Sequence, residues 1–154
     1  MQSTGRAFLG AAGAAIIGLA GLAAGLAAQQ MSRSVWQGVY TTEQAKRGES
    51  LYARECASCH GDSLTGGEQV PPLAGGEFLA DWNGLSAGDL FERIRKTMPM
   101  NKPGKLSREV NADILAYLLA VNKFPSGKTE LPHDAETLKQ IRIEATKPPE
   151  GNKK

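Results

Sequence analysis

The chain has 154 residues, enough for one domain with appendages. Its 18 Lys and Arg against 16 Asp and Glu leave a net charge of +2, which argues against a general nucleic-acid binder. Charged residues at 22% and hydrophobic ones at 41% are ordinary globular values and argue against a fully disordered chain.

Residues 7–28 comprise 10 Ala, 5 Gly and 7 Phe, Leu or Ile, without a single charge. Preceded by Arg6 and closed by small residues at Gly25, Ala27 and Ala28, residues 1–28 have the pattern of a secretory signal peptide. An uncharged run of 22 residues would also just cross a hydrocarbon core, so an uncleaved anchor is the alternative. The abundance of Ala and Gly, which drive insertion weakly, favours cleavage. There is no twin Arg and no Cys near the exit, so neither a folded-protein export signal nor a lipoprotein anchor is suggested. Either way the working domain is expected outside the cytoplasm, in the periplasm, touching a membrane only if the leader is retained. Residues 29–40 form an N-terminal extension. Beyond residue 28 remain 126 residues with 17 basic and 16 acidic side chains.

Thr41 to Arg54 is predicted as a helix, opened by a capping box of Thr41 and Gln44, with Ala45, Leu51 and Tyr52 as its apolar stripe. Gly48 in mid-helix costs about 1 kcal/mol relative to Ala and so asks for a packing reason.

The only cysteines, Cys56 and Cys59, stand in C-A-S-C-H with His60 directly after them. A disulfide across so short a loop would stabilise little. Thioredoxin-like chemistry needs a βαβ context that is not visible, and zinc would need ligands the chain lacks, since His133 is the only other His and lies in the tail. The pentapeptide suits c-type haem attachment: two thiols on one helical turn can each bond a vinyl group, and the adjacent imidazole can reach the iron.

From Gly61 to Gly84 the chain has no period and reads as loop, rich in Gly and Pro. So long an irregular stretch normally counts against an assignment, but a large apolar disc gives it something to pack on. Trp82 has two readings here, as loop core or as an indole N–H donor to a haem propionate. A second helix is predicted over Ala87 to Lys96, opened by Ser86 with Asp89 three residues on and burying Leu90, Phe91 and Ile94. Met98 and Met100 follow. A Met is more often core filler than a ligand, yet these lie between prolines and charges, and thioether ligation raises the potential of a haem. Residues 93–108 carry Arg93, Arg95, Lys96, Lys102, Lys105 and Arg108 and no acid. Such a run is either a solvated face or a surface that steers an acidic partner. A third helix starts after Ser107 and runs to about Val121, with Val110, Ile114, Tyr117, Leu118 and Val121 on one face. Residues 126–154 form a polar C-terminal extension expected to wrap the domain, with Asp134 capping a short helix through Gln140, Leu138, Ile141 and Ile143 as anchors, and a frayed end from Pro148.

With these residues in place, Thr41 to Phe124 resembles a class I cytochrome c: a helix into CxxCH, a Pro-rich loop, a middle helix, a Met and a last helix. The resemblance implies an all-α domain over residues 41–125, with three main helices around one covalently bound haem and long Pro/Gly loops. In that family a Gly and an aromatic on the first helix meet the last; Gly48 and Tyr52 match them, facing Ile114 and Tyr117. In Pro71-Pro72-Leu73-Ala74-Gly75 the resemblance makes Pro71 the carbonyl that accepts the N–H of the haem His, and makes Leu73 a contact of the porphyrin. Thr97-Met98-Pro99 resembles the axial methionine segment, which favours Met98 over Met100. Pro103 to Pro125 is similar to cytochromes associated with quinoprotein dehydrogenases.

The implied site is Cys56 and Cys59 for attachment, His60 and Met98 on the iron, and Pro71, Leu73 and Trp82 around the group. The implied function is one-electron transfer between a redox donor and acceptor, such as a quinoprotein dehydrogenase and a terminal oxidase, without turnover chemistry. The alternatives are a haem subunit that works only inside such a complex, and a haem enzyme or sensor with an open sixth site.

Overall fold

The computed structural model describes residues 33–149. The expected leader over 1–28, the start of the extension and the last residues of the expected frayed end lie outside the described residues. Among the described residues no helix is long and apolar enough to cross a membrane.

Two long helices make the frame. Helix α1 (Thr42–Glu55) is opened by Thr41, whose hydroxyl accepts the Gln44 N–H at 3.1 Å. The other half of the expected capping box does not form. Gln44 is only 2% exposed, and its amide turns away to bond both the N–H and the C=O of Leu131. Helix α5 (Arg108–Val121), capped by Ser107, packs across α1. Gly48 is the contact point: a Cβ there would lie 1.9 Å from the Asp113 carbonyl oxygen and 2.9 Å from the Tyr117 Cβ. Tyr52 and Tyr117 meet beside it with ring centroids 5.4 Å apart. Arg47 forks to both carboxylate oxygens of Asp113 and reaches Glu130 at 2.9 Å, tying α1, α5 and the tail together. The expected single apolar face of α5 understates its burial. Leu115, Ala116 and Leu119 are buried along with Ile114 and Leu118, because neighbours cover the helix on several sides.

A short α2 (Ala57–His60) follows α1 almost without a break. The stretch expected as loop is shorter than predicted, because Gly75–Trp82 forms a helix, α3. Phe78, Leu79 and Trp82 supply its apolar side at i, i+1 and i+4, with Phe78 fully buried. Helix α4 (Ala87–Thr97) has the predicted capping box of Ser86 and Asp89 and the predicted buried Leu90, Phe91 and Ile94.

The two extensions fold onto the domain and onto each other. Strand β1 (Arg33–Ser34) pairs in parallel with β2 (Ile141–Arg142), a two-residue ladder in an otherwise helical protein. Between them in sequence lies α6 (Ala135–Leu138), capped by Asp134 as predicted but ending before Gln140. Trp36 donates its indole N–H to the Glu144 carbonyl at 2.8 Å and stacks edge-on against Phe124. Ser34 bonds the Glu144 carboxylate. Gly38 and Gly127 cross at backbone contact, where a Cβ on Gly127 would be 2.0 Å from the Gly38 oxygen. Leu138, Ile141 and Ile143, the expected anchors, are buried.

Candidate haem site

Helix α1 ends at Cys56, whose φ of −127° breaks the helix before α2 resumes it. The Cys59 and His60 N–H groups both return to the Cys56 carbonyl, at 3.1 and 3.0 Å, so the two thiols and the imidazole share one tight turn. Both cysteines are free thiols. Cys59 is exposed; Cys56 is half-buried, and burial, with Glu55 and Cys59 nearby, pushes its thiol up to about 11. Tyr52 braces the turn from α1, its hydroxyl donating to the Gly61 carbonyl at 2.7 Å.

His60 is 7% exposed, and its Nδ1 lies 3.0 Å from the Pro71 carbonyl oxygen. A carbonyl has no proton to give, so Nδ1 must be the donor, and in the neutral ring the lone pair then sits on Nε2. Among the described residues nothing hydrogen-bonds Nε2. That tautomer is the one a metal requires.

The loop that delivers Pro71 is built for close return. Gly66 has φ +66°, and a Cβ there would come within 2.2 Å of the Val70 oxygen and 2.9 Å of the Pro71 oxygen. Leu64, buried at φ +60°, occupies a conformation that costs most side chains energy, and its carbonyl accepts the Leu73 N–H at 2.8 Å. Asn122, the residue ending α5, then fixes the segment after Pro71. Its amide oxygen accepts the Gly75 N–H and its NH₂ donates to the Leu73 carbonyl, both at 3.0 Å. Asn122 was not singled out from sequence; an Asn just past a periodic run signals a helix end, but nothing in the chain shows where its side chain goes. Asn111 has a similar role on the other side. It is 0% exposed, and its NH₂ donates to Leu106 and Ser107, turning the chain after the Met segment into α5.

Met98 is the C-cap of α4, with its N–H on the Ile94 carbonyl at 2.9 Å. The two methionines differ in setting: Met98 is half-buried against the core, whereas Met100 is 78% exposed. Leu73, Trp82 and Cys56 are likewise half-buried and pack against the same core. Trp82 lies near Phe78, ring centroids 6.4 Å apart, and its indole N–H has no hydrogen-bond partner among the described residues.

These residues fit a c-type haem. Two unbonded thiols stand three residues apart, an imidazole offers an unpartnered Nε2, and half-buried Leu73, Trp82 and Met98 present apolar surface. Among the described residues no group of three or more His, Cys, Asp or Glu could hold a metal ion by itself, which leaves no competing zinc-type cluster at the motif.

The basic stretch around the Met is less positive than its linear count. Glu92, just before it, takes both Arg95 and Lys96 at 2.7 Å, and these two cations hold its carboxyl down to about 2. Lys105 pairs with Glu55 at 3.1 Å. Arg93, Lys102 and Arg108 make no salt bridge among the described residues.

Residues 43–118 match the family described as cytochrome C oxidase, cbb3-type, subunit III. Among solved structures, the chain is similar to one in the crystal structure of the sulfane dehydrogenase SoxCD from Paracoccus pantotrophus. That chain is 22% identical with a TM-score of 0.51, and the match covers 89% of this chain and 73% of that one, a likeness of fold. No curated protein matches significantly. The helix order around C-A-S-C-H and the family match agree: residues 43–118 form a c-type cytochrome domain with the all-α class I fold.

Proposed function

We propose that this protein is an exported mono-haem cytochrome that carries single electrons between two redox proteins and turns over no substrate of its own. The haem supplies a reversible one-electron couple at its iron. In this reading Cys56 and Cys59 would hold the haem through two thioether links, and His60 Nε2 and the Met98 sulfur would bind its iron. The observation that carries it is His60: a buried imidazole whose Nδ1 is committed to the Pro71 carbonyl, directly after two free thiols.

The side chains have separate tasks. Pro71 keeps a proton on Nδ1, which holds the ring and leaves the Nε2 lone pair for bonding. Met98 would hold the iron together with His60 and leave it no free position for a substrate; this is why turnover is not expected. Leu73 and Trp82 keep water away, which tunes potential as well as access. The leader over 1–28 supports export to the periplasm.

The donor and acceptor are protein redox partners, for which a quinoprotein dehydrogenase and a terminal oxidase are the classes in view. A second reading is a haem-bearing subunit of such a complex. The description of the matching family as an oxidase subunit favours it.

Spectra of the purified protein, oxidised and reduced, with and without carbon monoxide, test the proposal. A reduced spectrum indifferent to carbon monoxide, with haem that stays on the polypeptide in acid acetone, supports the carrier. Carbon monoxide binding would move the function to an open-site haem enzyme or sensor. Haem extracted from the wild type would remove the attachment at Cys56 and Cys59.

A further inference from the structure

Helix α4 has unusual moorings for an element that ends on a proposed axial ligand. It lies against α5, but more extensively against α6, and it touches β2 as well. The closest approach is at Gly88 in its first turn. A Cβ on Gly88 would meet the Lys139 nitrogen at 2.6 Å and the Ala135 oxygen at 2.7 Å, both of them backbone. The turn before α4 is bound to the same tail: Gly84 donates to the Ile143 carbonyl and Ile143 donates to the Leu85 carbonyl, each at 2.8 Å. The Asn83 side chain accepts the Ala145 N–H at 2.9 Å, and Ser86 bridges Arg142. Leu138, Ile141 and Ile143 of this segment are buried in the same core cluster as Leu90 and Phe91 of α4. The front half of α4 is thus held by residues 135–145.

We propose that this C-terminal strap is a positioning device for Met98, acting through Gly88 and Leu138. The inference rests on the reading of Met98 as the sixth ligand. A helix is stiff over three turns, and at 1.5 Å per residue about 15 Å separate Gly88 from Met98. A tilt of about 5° at the Gly88 end therefore moves the far end by about 1.3 Å on that length. Ligand constellations tolerate only about 0.5 Å. The strap fixes that tilt. The His60 side depends on other contacts, namely Gly48 at the α1–α5 crossing and Tyr52 on Gly61. The part of the tail before the strap, at Leu131, is bonded to Gln44 on α1 and not to α4. The two halves of the tail can therefore be loosened separately, and only the rear half should affect the methionine.

The test uses the full-length holoprotein and three variants. Gly88→Ala wedges α4 off the strap; Leu138→Ala loosens the same contact by removing volume, and serves if the first does not fold. Gln44→Leu unfastens the front half as the control. Each is examined at a temperature where helix content is unchanged, for the long-wavelength sulfur-to-iron band of the ferric protein and for binding of added imidazole. Gly88→Ala and Leu138→Ala should weaken the band and raise the apparent imidazole affinity roughly tenfold, as a tenfold larger ligand-free fraction requires. Gln44→Leu, at a similar loss of denaturation midpoint, should change neither. Unchanged imidazole binding in both rear variants would overturn the inference, and so would an equal effect from Gln44→Leu. If Met98→Ala abolishes the band while the strap variants do not, the ligand reading stands and the positioning role falls. If the wild type has no such band, both fall, and that baseline distinguishes the two failures.

Discussion

Replacing Gly48 by Ala isolates the helix crossing on which the frame depends. On propensity alone the change is favourable, because Ala is better than Gly inside a helix by about 1 kcal/mol. The structure opposes it. The new methyl would sit 1.9 Å from the Asp113 carbonyl oxygen and 2.6 Å from its carbon. Ordinary contact begins near 3.4 Å, so about 1.5 Å must be found, and the obstacle is backbone that no rotamer change can move aside. The helices must separate, opening the Tyr52–Tyr117 contact and lengthening the Arg47–Asp113 fork. Overpacking of this kind costs about 3 kcal/mol at the upper end of its range, so the net loss is about 2 kcal/mol after the propensity gain. For a domain of this size that lowers Tm by roughly 6–10 °C. The assay is thermal unfolding of the holoprotein followed by far-ultraviolet circular dichroism, with Gly76→Ala as the control, since nothing lies within 4 Å of a Cβ there. An unchanged or raised Tm for Gly48→Ala would refute the crossing as described.

Four further outcomes are expected. Gln44→Leu leaves the buried N–H and C=O of Leu131 without partners and should cost about 3 kcal/mol in a denaturant titration, far more than removal of an exposed helix residue. Met98→Ala should lower the reduction potential and admit external ligands, whereas Met100→Ala should do little because that side chain is 78% exposed. Glu92 has its folded-state carboxyl held at about 2, below the usual 4.5, by Arg95 and Lys96; its contribution to stability is complete above about pH 4.5 and is lost as pH falls through 2. Glu92→Gln should therefore flatten the acid limb of denaturant midpoint against pH, and 1 M salt should shrink the difference, since the pair lies near the surface. Charge reversal at Arg93 and Lys102, two of the three cations of the Met side without salt bridges among the described residues, should slow reaction with the physiological partner at 0.01 M ionic strength and much less at 0.1 M, as the Debye length falls from about 30 to about 10 Å; reversal at the paired Lys96 and Lys105 should act less, and a rate indifferent to salt would dismiss a docking face.

Much of this was legible because local chemistry and global fold agree. Thr41, Ser86 and Ser107 are N-cap residues in front of periodic apolar runs, so α1, α4 and α5 could be placed within a residue or two. Cys56, Cys59 and His60 are adjacent in sequence, and adjacency alone puts them on one turn. Helix α3 was hidden by its opening: Gly75 and Gly76 read as loop, and the side chain that satisfies the first of them comes from Asn122, 47 residues away. Gln44 misled for a related reason. Its position three residues after Thr41 suggests a local cap, while a partner 87 residues distant binds it more fully. The basic stretch was counted within a window whose neutralising acids, Glu92 and Glu55, stand just outside it or far before it. Sequence carries local pairings directly and distant ones only through pattern, and a two-residue ladder such as β1–β2 has no pattern to carry.

That ladder also constrains the order of assembly. Arg33 and Ile141 pair across 108 residues, so the first described residues find their strand partner only after the intervening helices have been made. Loop closure over such a span adds little to the free-energy cost, because each doubling of length adds only about 0.6 kcal/mol, but it delays the encounter. The helical frame can close beforehand, since α1 and α5 meet within the earlier part of the chain. Residues 33–40 are then a late-docking unit, and their amides should be the last to gain protection from hydrogen exchange during refolding and among the first to lose it in the native state. A chain stopped before Ile141 would leave Arg33 and Ser34 without their ladder partners, so the docking of the first described residues reports whether the strap has been made.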